Sequence, residues 1–255
     1  MEIFAEGKIR EALGTWHDLP LILLPSVNST NLFLKERVRA GNLSAPCLVL
    51  ADYQTAGRGR LGRSFVSPPG TGLYMSLLLR PENATEIQKM TVLAAVAVCR
   101  ALEEITPLRP TIKWVNDLFV KGKKVCGILA EYVENQVIIG IGVNLQTPPG
   151  GFPKEAGIAG ALDIPISRDE LAGKIAKHLL DGMQHLSDPA LIAAYRDRMP
   201  LMGREITYVQ NGETKNARVT GVANDGGLMV LTDDGEKILR SGEISLGSQS
   251  FSGLE

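Results

Sequence analysis

Four strand-like runs follow one another closely along the middle of the chain, and they constrain the fold more than any other feature. They span residues 111–115, 117–120, 124–132 and 136–143, with only short polar turns between them. Because parallel strands need a crossover of about a dozen residues or more, runs this close together pair as antiparallel neighbours. The Lys-Gly-Lys-Lys stretch at 121–124 also has the chemistry of a hairpin turn. We therefore predict an antiparallel meander.

Further strands and apolar helices precede and follow this meander. Continuous apolar runs at 21–24, 47–51 and 72–79 are typical of buried strands. Residues 84–104 carry apolar side chains at helical spacing, and two amphipathic helices are predicted at 168–185 and 189–198. The pattern predicts an α+β fold in which helices cover one face of a mixed, largely antiparallel sheet.

The composition changes abruptly after Pro200. Five short strand-like runs occupy residues 204–209, 214–222, 227–231, 237–239 and 243–246. Most of them are separated by Asn-Gly or Asp-Gly turns, and short, evenly spaced strands of this kind make a small barrel. We therefore predict two domains, residues 1–202 and 203–255.

Composition excludes several classes of protein. The formal net charge of the 255-residue chain is −1, so no global basic field would attract nucleic acid. Cys47, Cys99 and Cys126 lie in apolar runs without the spacing of a metal site, which favours a reducing cytoplasmic compartment and no metal centre. No run reaches the ~18 apolar residues of a membrane span, so we expect no membrane partner.

Residues 55–63 have the sequence T-A-G-R-G-R-L-G-R and place Arg58, Arg60 and Arg63 among three glycines. Adjacent guanidiniums repel one another and glycines are costly to order, so folding alone gives little reason for this stretch. A phosphate would give one, because glycine lets backbone N–H groups approach it while arginines pair with its oxygens. The spacing resembles dinucleotide-binding and Walker A loops, but both open a helix, which the Pro-Pro pair at 68–69 forbids. We predict a phosphate-binding loop, with a basic patch for nucleic acid as the alternative.

Other polar residues stand at strand ends and turns of the same domain. They are Lys113, Asn116, Asp117, Lys124 and Asn144. Each has an ordinary explanation as a turn or surface residue, but their joint occurrence with an arginine-rich loop favours one shared site. The three histidines lack catalytic spacing and no serine lies in a G-x-S-x-G elbow, so covalent catalysis has little support.

Six motifs, in their order and spacing, resemble those of the biotin protein ligases. They are S-T-N at 29–31, Q-T-A-G-R-G-R-L-G-R at 54–63, K-W-V-N-D at 113–117, K-K-V-C-G-I-L-A-E at 123–131, G-I-G-V-N at 140–144 and G-E-I-S-L at 242–246. The resemblance implies a catalytic fold like that of class II aminoacyl-tRNA synthetases, followed by an SH3-like barrel. It also implies an enzyme that converts biotin and Mg-ATP to biotinyl-5′-adenylate and pyrophosphate. A lysine of a biotin carboxyl carrier domain then takes the biotin as an amide.

The resemblance also implies roles for individual residues. The biotin-binding residues would be Ser29, Thr30, Asn31, Gln54, Gly57, Arg58, Gly59, Arg60, Lys124 and Gly127. The ATP-binding residues would be Arg60, Arg63, Phe65, Asn116 and Asn144, with Phe65 in place of a tryptophan common in the family. The catalytic residues would be Arg60, Lys124, Lys113 and Asp117. Asp117 would either orient a lysine or contact magnesium. Leu61 departs from the pattern, because some relatives have a further arginine there.

The implied partner is the biotin carboxyl carrier domain of acetyl-CoA carboxylase or of a related carboxylase. DNA binding is not expected, because only about twenty residues precede the first strand and a helix-turn-helix module needs more. A sheet edge could serve a homodimer or the carrier domain, and the sequence does not choose between them. Two alternatives for the function remain. One is a lipoate-type acyl-adenylate ligase, and the other is a nucleic-acid-binding module that binds phosphates through the arginine loop.

Overall fold

A computed structural model describes residues 3–83, 86–210, 213–240, 242 and 244–245 of the chain. Its α-helices are α1 (Glu6–Leu13), α2 (Thr30–Arg39), α3 (Ile87–Ile105), α4 (Arg168–Met183) and α5 (Pro189–Arg196). The strands up to residue 144 are β1 (Leu21–Leu24), β2 (Cys47–Ala51), β3 (Gly72–Leu79), β4 (Thr111–Lys113), β5 (Asp117–Val120), β6 (Lys123–Val133) and β7 (Gln136–Asn144).

These seven strands form one sheet in the order β1-β2-β3-β7-β6-β5-β4. β1 and β2 pair in parallel and the other neighbouring pairs of this sheet are antiparallel, so the predicted mixed, largely antiparallel sheet is confirmed. The first run of the meander ends at Lys113, because residues 114–116 form the turn to β5. Lys121 and Gly122 have φ values of 50° and 69°, as a two-residue hairpin turn between β5 and β6 requires.

Alternation along the strands gives the sheet two unlike faces. On one face, alternate residues of β3, β6 and β7 join α1, α3, α4 and α5 in the main hydrophobic core. On the opposite face, a smaller core packs Leu34 and Val38 of α2 against β2, β3 and β7. Beyond α2, that face presents Gly127, Gly140 and Gly142 in place of apolar side chains. The helices therefore cover one face fully and the other in part, and the uncovered part lies over β6 and β7.

A second sheet follows residue 200. Its strands are β8 (Glu205–Gln210), β9 (Glu213–Val222), β10 (Leu228–Thr232), β11 (Gly235–Leu239) and β12 (Ile244–Ser245). They pair antiparallel in the order β11-β10-β9-β8-β12, which agrees with the predicted SH3-like barrel. The predicted turn at 211–212 and the predicted strand ends at 243 and 246 lie outside the described residues. The domain boundary between residues 202 and 203 stays a prediction.

The barrel holds the backbone of the K-W-V-N-D motif. Trp114 donates its indole N–H to the carbonyl of Gly226 at 3.0 Å. The turn that contains Gly226 packs so closely on α3 that a Cβ there would collide with Val92. From the other side, the hydroxyl of the fully buried Tyr195 donates to the Val115 carbonyl at 3.1 Å. The segment that leads to Asn116 is thus fixed by both the barrel and α5.

Cys47, Cys99 and Cys126 are buried and unpaired. Burial raises the pKa of Cys47 to about 11 and that of Cys99 to about 12, and burial also raises the pKa of Cys126 well above its ordinary value. All three therefore stay protonated near neutral pH and are poor nucleophiles. Among the helices of the described ranges, none is both long and apolar enough to cross a membrane.

Candidate active site

The uncovered part of the sheet opens into a cavity of about 650 Å³. Its floor, formed by Gly127, Gly140 and Gly142, has no side chains. Neighbours from above occupy the space that a Cβ would need, because Asn31 approaches Gly140 and the Phe65 ring approaches both Gly127 and Gly142. Glycine at these positions therefore lets other groups lie directly on the sheet backbone.

One end of the cavity, the polar end, is formed by Ser29, Thr30, Asn31 and Gln54. Ser29, Thr30 and Asn31 are each no more than 3% exposed, and no side chain caps the N-terminus of α2. Helix capping, a common role of serine, threonine and asparagine at this position, therefore does not explain these side chains. Gln54 instead accepts the Thr30 N–H at 2.9 Å and donates to the Ser67 hydroxyl at 2.9 Å. Hydrogen-bonding groups at this end are thus held in place by other residues of the protein.

The arginine loop forms one wall of the cavity. Arg58, Gly59, Arg60, Arg63 and Phe65 all line it. Two backbone bonds close the loop, from Gly59 N to Arg63 O at 2.7 Å and from Phe65 N to the Gly57 carbonyl at 2.9 Å. No helix follows the loop, in keeping with the exclusion of dinucleotide-binding and Walker A loops.

Arg60 is the loop arginine with two hydrogen bonds to distant segments. It donates to Asn116 Oδ1 at 2.9 Å and to the carbonyl of Gly242 at 3.2 Å. Gly242 belongs to the end of the barrel, and both Gly242 and Ile244 line the cavity. The barrel therefore contributes to the wall of the cavity and to the position of its arginine.

Lys124 and Asp117 form an ion pair on the same wall, with 2.8 Å between Lys124 Nζ and Asp117 Oδ1. Both side chains are less than one-third exposed. Of the two roles open to Asp117, the structure shows a partner of Lys124, while contact with magnesium stays a prediction. Lys113 and Asn116 also line the cavity, and Asn116 donates to the Ile128 carbonyl at 2.9 Å. The described part of the chain contains no cluster of His, Cys, Asp or Glu suited to a metal ion.

Two residues predicted for the site do not line the cavity. Gly57 lies behind the wall, where a Cβ would collide with the Phe65 carbonyl and the Ser67 hydroxyl. Asn144 is 6% exposed and its amide donates to the Gly160 carbonyl at 2.9 Å. Both hold the backbone of cavity-lining segments, so direct contact with a ligand is not the role that their positions favour.

Sequence reasoning missed one stretch of the wall. No site residue is predicted in the connection after β7, but Pro153, Glu155 and Ile158 also line the cavity. Backbone bonds fix it to Lys124, from Lys124 N to Ile158 O at 3.0 Å and from Gly160 N to Lys124 O at 2.9 Å. Its glycines and prolines indicate a loop but not where the loop packs, so composition alone could not find it.

A row of polar residues behind the polar end was also missed. Ser76 on β3 and Glu131 on β6 hydrogen-bond to Asn31, and Lys35 of α2 pairs with Glu131. A detectable signal existed for Ser76, because it is the one polar side chain besides Tyr74 in the otherwise apolar run 72–79. A polar group in such a run needs a buried partner.

A mixed sheet that carries a glycine-floored, cationic cavity beside a small β-barrel has close counterparts among known proteins. The Biotin/lipoate A/B protein ligase family matches residues 23–144, and the Biotin protein ligase C terminal domain matches residues 201–247. The bifunctional ligase/repressor BirA of Bacillus subtilis is 35% identical over 95% of this chain and 79% of its own length. The biotin–[acetyl-CoA-carboxylase] ligase of Paracoccus denitrificans is 32% identical over 82% of this chain and 93% of its own.

The solved structure of the biotin protein ligase from Aquifex aeolicus in complex with biotin and ATP superposes with a TM-score of 0.75. It is 32% identical and covers 89% of this chain and 97% of its own. Sequence and fold therefore agree over both the large sheet and the barrel. The chain belongs to the biotin protein ligase family.

Proposed function

We propose that this chain joins biotin to ATP as biotinyl-5′-adenylate and then transfers the biotin to a lysine of a biotin carboxyl carrier domain. The observation that carries the proposal is one cavity lined by three arginines and two lysines at one end and by buried amides and hydroxyls at the other. The first set suits an anionic acyl phosphate, and the second suits a neutral polar ring. A family member solved with both biotin and ATP supports the same pairing of ligands.

The first step brings two anions together, the biotin carboxylate and the α-phosphate of ATP. Arg58, Arg60 and Lys124 would offset their repulsion and the charge that develops as the carboxylate oxygen attacks phosphorus and pyrophosphate leaves. Asp117 would hold Lys124 in position through their ion pair. Lys113 would add a further cation at the same wall. No protein nucleophile is required, which fits the protonated state of the buried thiols.

The two ligands would divide the cavity between them. Ser29, Thr30, Asn31 and Gln54 would bind the ureido ring of biotin, with Gly127 allowing the ring to approach the sheet. The nucleotide would lie toward Arg63, Phe65 and Asn116, with the Phe65 ring against the adenine. Gly57 and Asn144 would support the arginine loop and the 153–160 segment that cover these ligands. Magnesium would arrive with ATP as part of the substrate; Asp117, one of the carboxylates that line the cavity, is paired with Lys124.

In the second step, the amine of the carrier lysine attacks the acyl carbon of the adenylate. An amide forms as the attacking nitrogen releases a proton to solvent, and AMP leaves with the electron pair of the broken C–O bond. The acceptor is proposed to be the carrier domain of acetyl-CoA carboxylase or of a related carboxylase. We place the reaction in the cytoplasm, because three unpaired buried thiols suit a reducing compartment.

Incubation of the protein with ATP, magnesium, biotin and an acceptor carrier domain tests the proposal. We expect a biotinylated carrier on a streptavidin blot and biotinyl-adenylate by mass spectrometry when the carrier is omitted. Equal amounts of lipoate in the same reaction distinguish the related ligase activity, since lipoyl-adenylate as the main product would contradict the choice of substrate. Oligonucleotide binding that falls steeply with salt, together with no adenylate, would favour the nucleic-acid alternative.

A further inference from the structure

The polar end of the cavity continues outward as a chain of hydrogen bonds that ends in an ion pair. Lys35 Nζ lies 2.8 Å from Glu131 Oε1, and Asn31 Nδ2 donates to Glu131 Oε2 at 3.0 Å. The side chains of Lys35 and Glu131 are each 21% exposed. Neither residue lines the cavity, and the family motifs gave no role to either.

Glu131 determines which way the Asn31 amide points. Burial by itself raises the pKa of Glu131, but hydrogen bonds from Lys35 and Asn31, with the charges of Lys35 and Arg58, leave this pKa below its ordinary value. The carboxylate is therefore ionised at neutral pH and can only accept hydrogen bonds. The Leu129 carbonyl, 3.3 Å from the same amide nitrogen, can also only accept. The nitrogen of Asn31 must face these two acceptors, and its oxygen must face the other way.

The oxygen of Asn31 then fixes the direction of two hydroxyl groups. Ser76 Oγ lies 2.6 Å from Asn31 Oδ1 and 2.6 Å from Thr30 Oγ1. Because an amide oxygen cannot donate, Ser76 must give its single proton to Asn31. A contact of 2.6 Å between two hydroxyl oxygens needs a proton between them, so Thr30 donates to Ser76 rather than to Gln54 Oε1, which is 3.2 Å away. Thr30 then keeps only lone pairs for any partner in the cavity.

Burial of these groups keeps the hydrogen bonds among Thr30, Ser76 and Asn31 in the directions just described. Thr30 and Asn31 are each 3% exposed and Ser76 is fully buried, so bulk water does not offer alternative partners. Gln54 Oε1 accepts the Thr30 backbone N–H at 2.9 Å and lies farther from the Thr30 hydroxyl, at 3.2 Å, than Ser76 does. Asn31 also rests against Gly140, where a Cβ would collide with its amide oxygen.

We propose that Glu131, held by Lys35, is a positioning residue that turns the Thr30 hydroxyl into an obligatory hydrogen-bond acceptor for a ring N–H of biotin. The inference rests on the proposed function, because it assumes that the ureido ring lies at the polar end. It adds a source of specificity, since a ring nitrogen without a proton finds no donor at Thr30. Ser76 is the relay between the charged pair and the cavity.

A double-mutant cycle between Glu131→Gln and Thr30→Val tests the inference. Pyrophosphate exchange is measured against biotin, against ATP, and against two biotin analogues that are each methylated on one ureido nitrogen. A glutamine at 131 can donate as well as accept, so Asn31 can turn and Thr30 can lose its fixed polarity. We expect Glu131→Gln to raise the KM for biotin by about tenfold or more and to leave the KM for ATP unchanged.

The same variant should lose most of the discrimination between biotin and one of the two methylated analogues. In the Thr30→Val background, Glu131→Gln should change the KM for biotin by less than about twofold, because the group through which it acts is gone. Glu205→Gln is the matched control, since it removes an exposed ion pair with Arg218 on the barrel and should change neither KM.

Ser76→Ala gives an independent variant of the relay, whether or not Glu131→Gln folds. It should reproduce the rise in the KM for biotin and the loss of discrimination. Additive effects in the cycle, or unchanged discrimination in Glu131→Gln and Ser76→Ala with a fully active wild type, would overturn the inference and leave the proposed function intact. A wild type that forms no biotinyl-adenylate would overturn both.

Discussion

The two ends of the cavity differ in how much of the protein holds them. At the polar end, Thr30, Asn31 and Ser76 lie on regular elements, are almost fully buried and hydrogen-bond to one another. At the cationic end, Arg58 and Arg63 are exposed on a loop, and Arg60 depends on Asn116 and on the barrel. The first end is held by packing and internal hydrogen bonds, whereas the second presents several positive charges on an exposed loop.

The largest expected effect comes from removing a charge at the cationic end. Arg60→Ala should lower the rate of adenylate formation by about 100-fold or more, because the charge that opposes the two anions is lost. Single-turnover assays with saturating biotin and ATP measure it. Arg218→Ala, which removes an exposed barrel arginine, is the control and should react at the wild-type rate. A loss smaller than about fivefold in the rate of adenylate formation by Arg60→Ala would contradict the assignment of this step to the cationic end.

Two substitutions of glycines in the floor of the cavity test its two ends separately. Gly140→Ala would place a methyl group against the Asn31 amide, and Gly142→Ala would place one against the Phe65 ring. Gly140→Ala should therefore raise the KM for biotin by about tenfold, since one or more hydrogen bonds at the polar end are lost. Gly142→Ala should displace Phe65 and affect the KM for ATP more than that for biotin. Equal effects of both variants on both substrates would contradict the comparison.

The barrel contact gives a smaller effect. Trp114→Phe keeps an aromatic side chain, although a smaller one, and leaves the buried Gly226 carbonyl without its donor, which should reduce the free energy of unfolding by about 1–2 kcal/mol. The KM for ATP should also rise, because the motif that carries Asn116 loosens. Trp16→Phe removes another indole donor, to Asp181 at 2.8 Å, and is the matched control for stability without contact to the cavity. Similar KM values for ATP in both variants would show that the barrel contact is structural only.

The smallest effect concerns the charge of Glu131. Its pKa is lower in the folded protein than the ordinary value of 4.5, so its ionised form stabilises the fold above that pH. Wild type should exceed Glu131→Gln in stability by about 1 kcal/mol at neutral pH, and the gap should close as pH falls below 4.5. Urea unfolding of both proteins between pH 3.5 and 7, with about 0.5-unit steps, measures the gap. A gap that is the same throughout this range would show that the charge contributes nothing.

The parts of this structure that the sequence predicts are those set by local pattern. The apolar run at 72–79 and the turn at Lys121 and Gly122 identify strands and a hairpin from side-chain period and backbone preference alone. The glycines and arginines of the loop identify a charged site, because no folding requirement explains them. Family resemblance adds the individual candidate residues, whose roles stay predictions.

What the sequence does not predict depends on contacts between distant segments. Asn31 and Glu131 are 100 residues apart and meet only because α2 lies over β6. The 153–158 segment has the composition of an ordinary surface loop, and its place at the cavity follows from backbone bonds to Lys124. Gly57 and Asn144 lie in motifs that look like binding residues, yet their partners are other parts of the protein. Such contacts have no local signature in composition or period.

The barrel contacts Trp114 and Arg60 through the main-chain oxygens of Gly226 and Gly242. Neither contact depends on a barrel side chain, so the outer surface of the barrel can diverge widely among related enzymes without altering these two bonds. An insertion or deletion that shifts the course of the chain near either glycine would be far more harmful than many surface substitutions. Grafts that exchange barrels between relatives should therefore succeed or fail according to loop length rather than percentage identity.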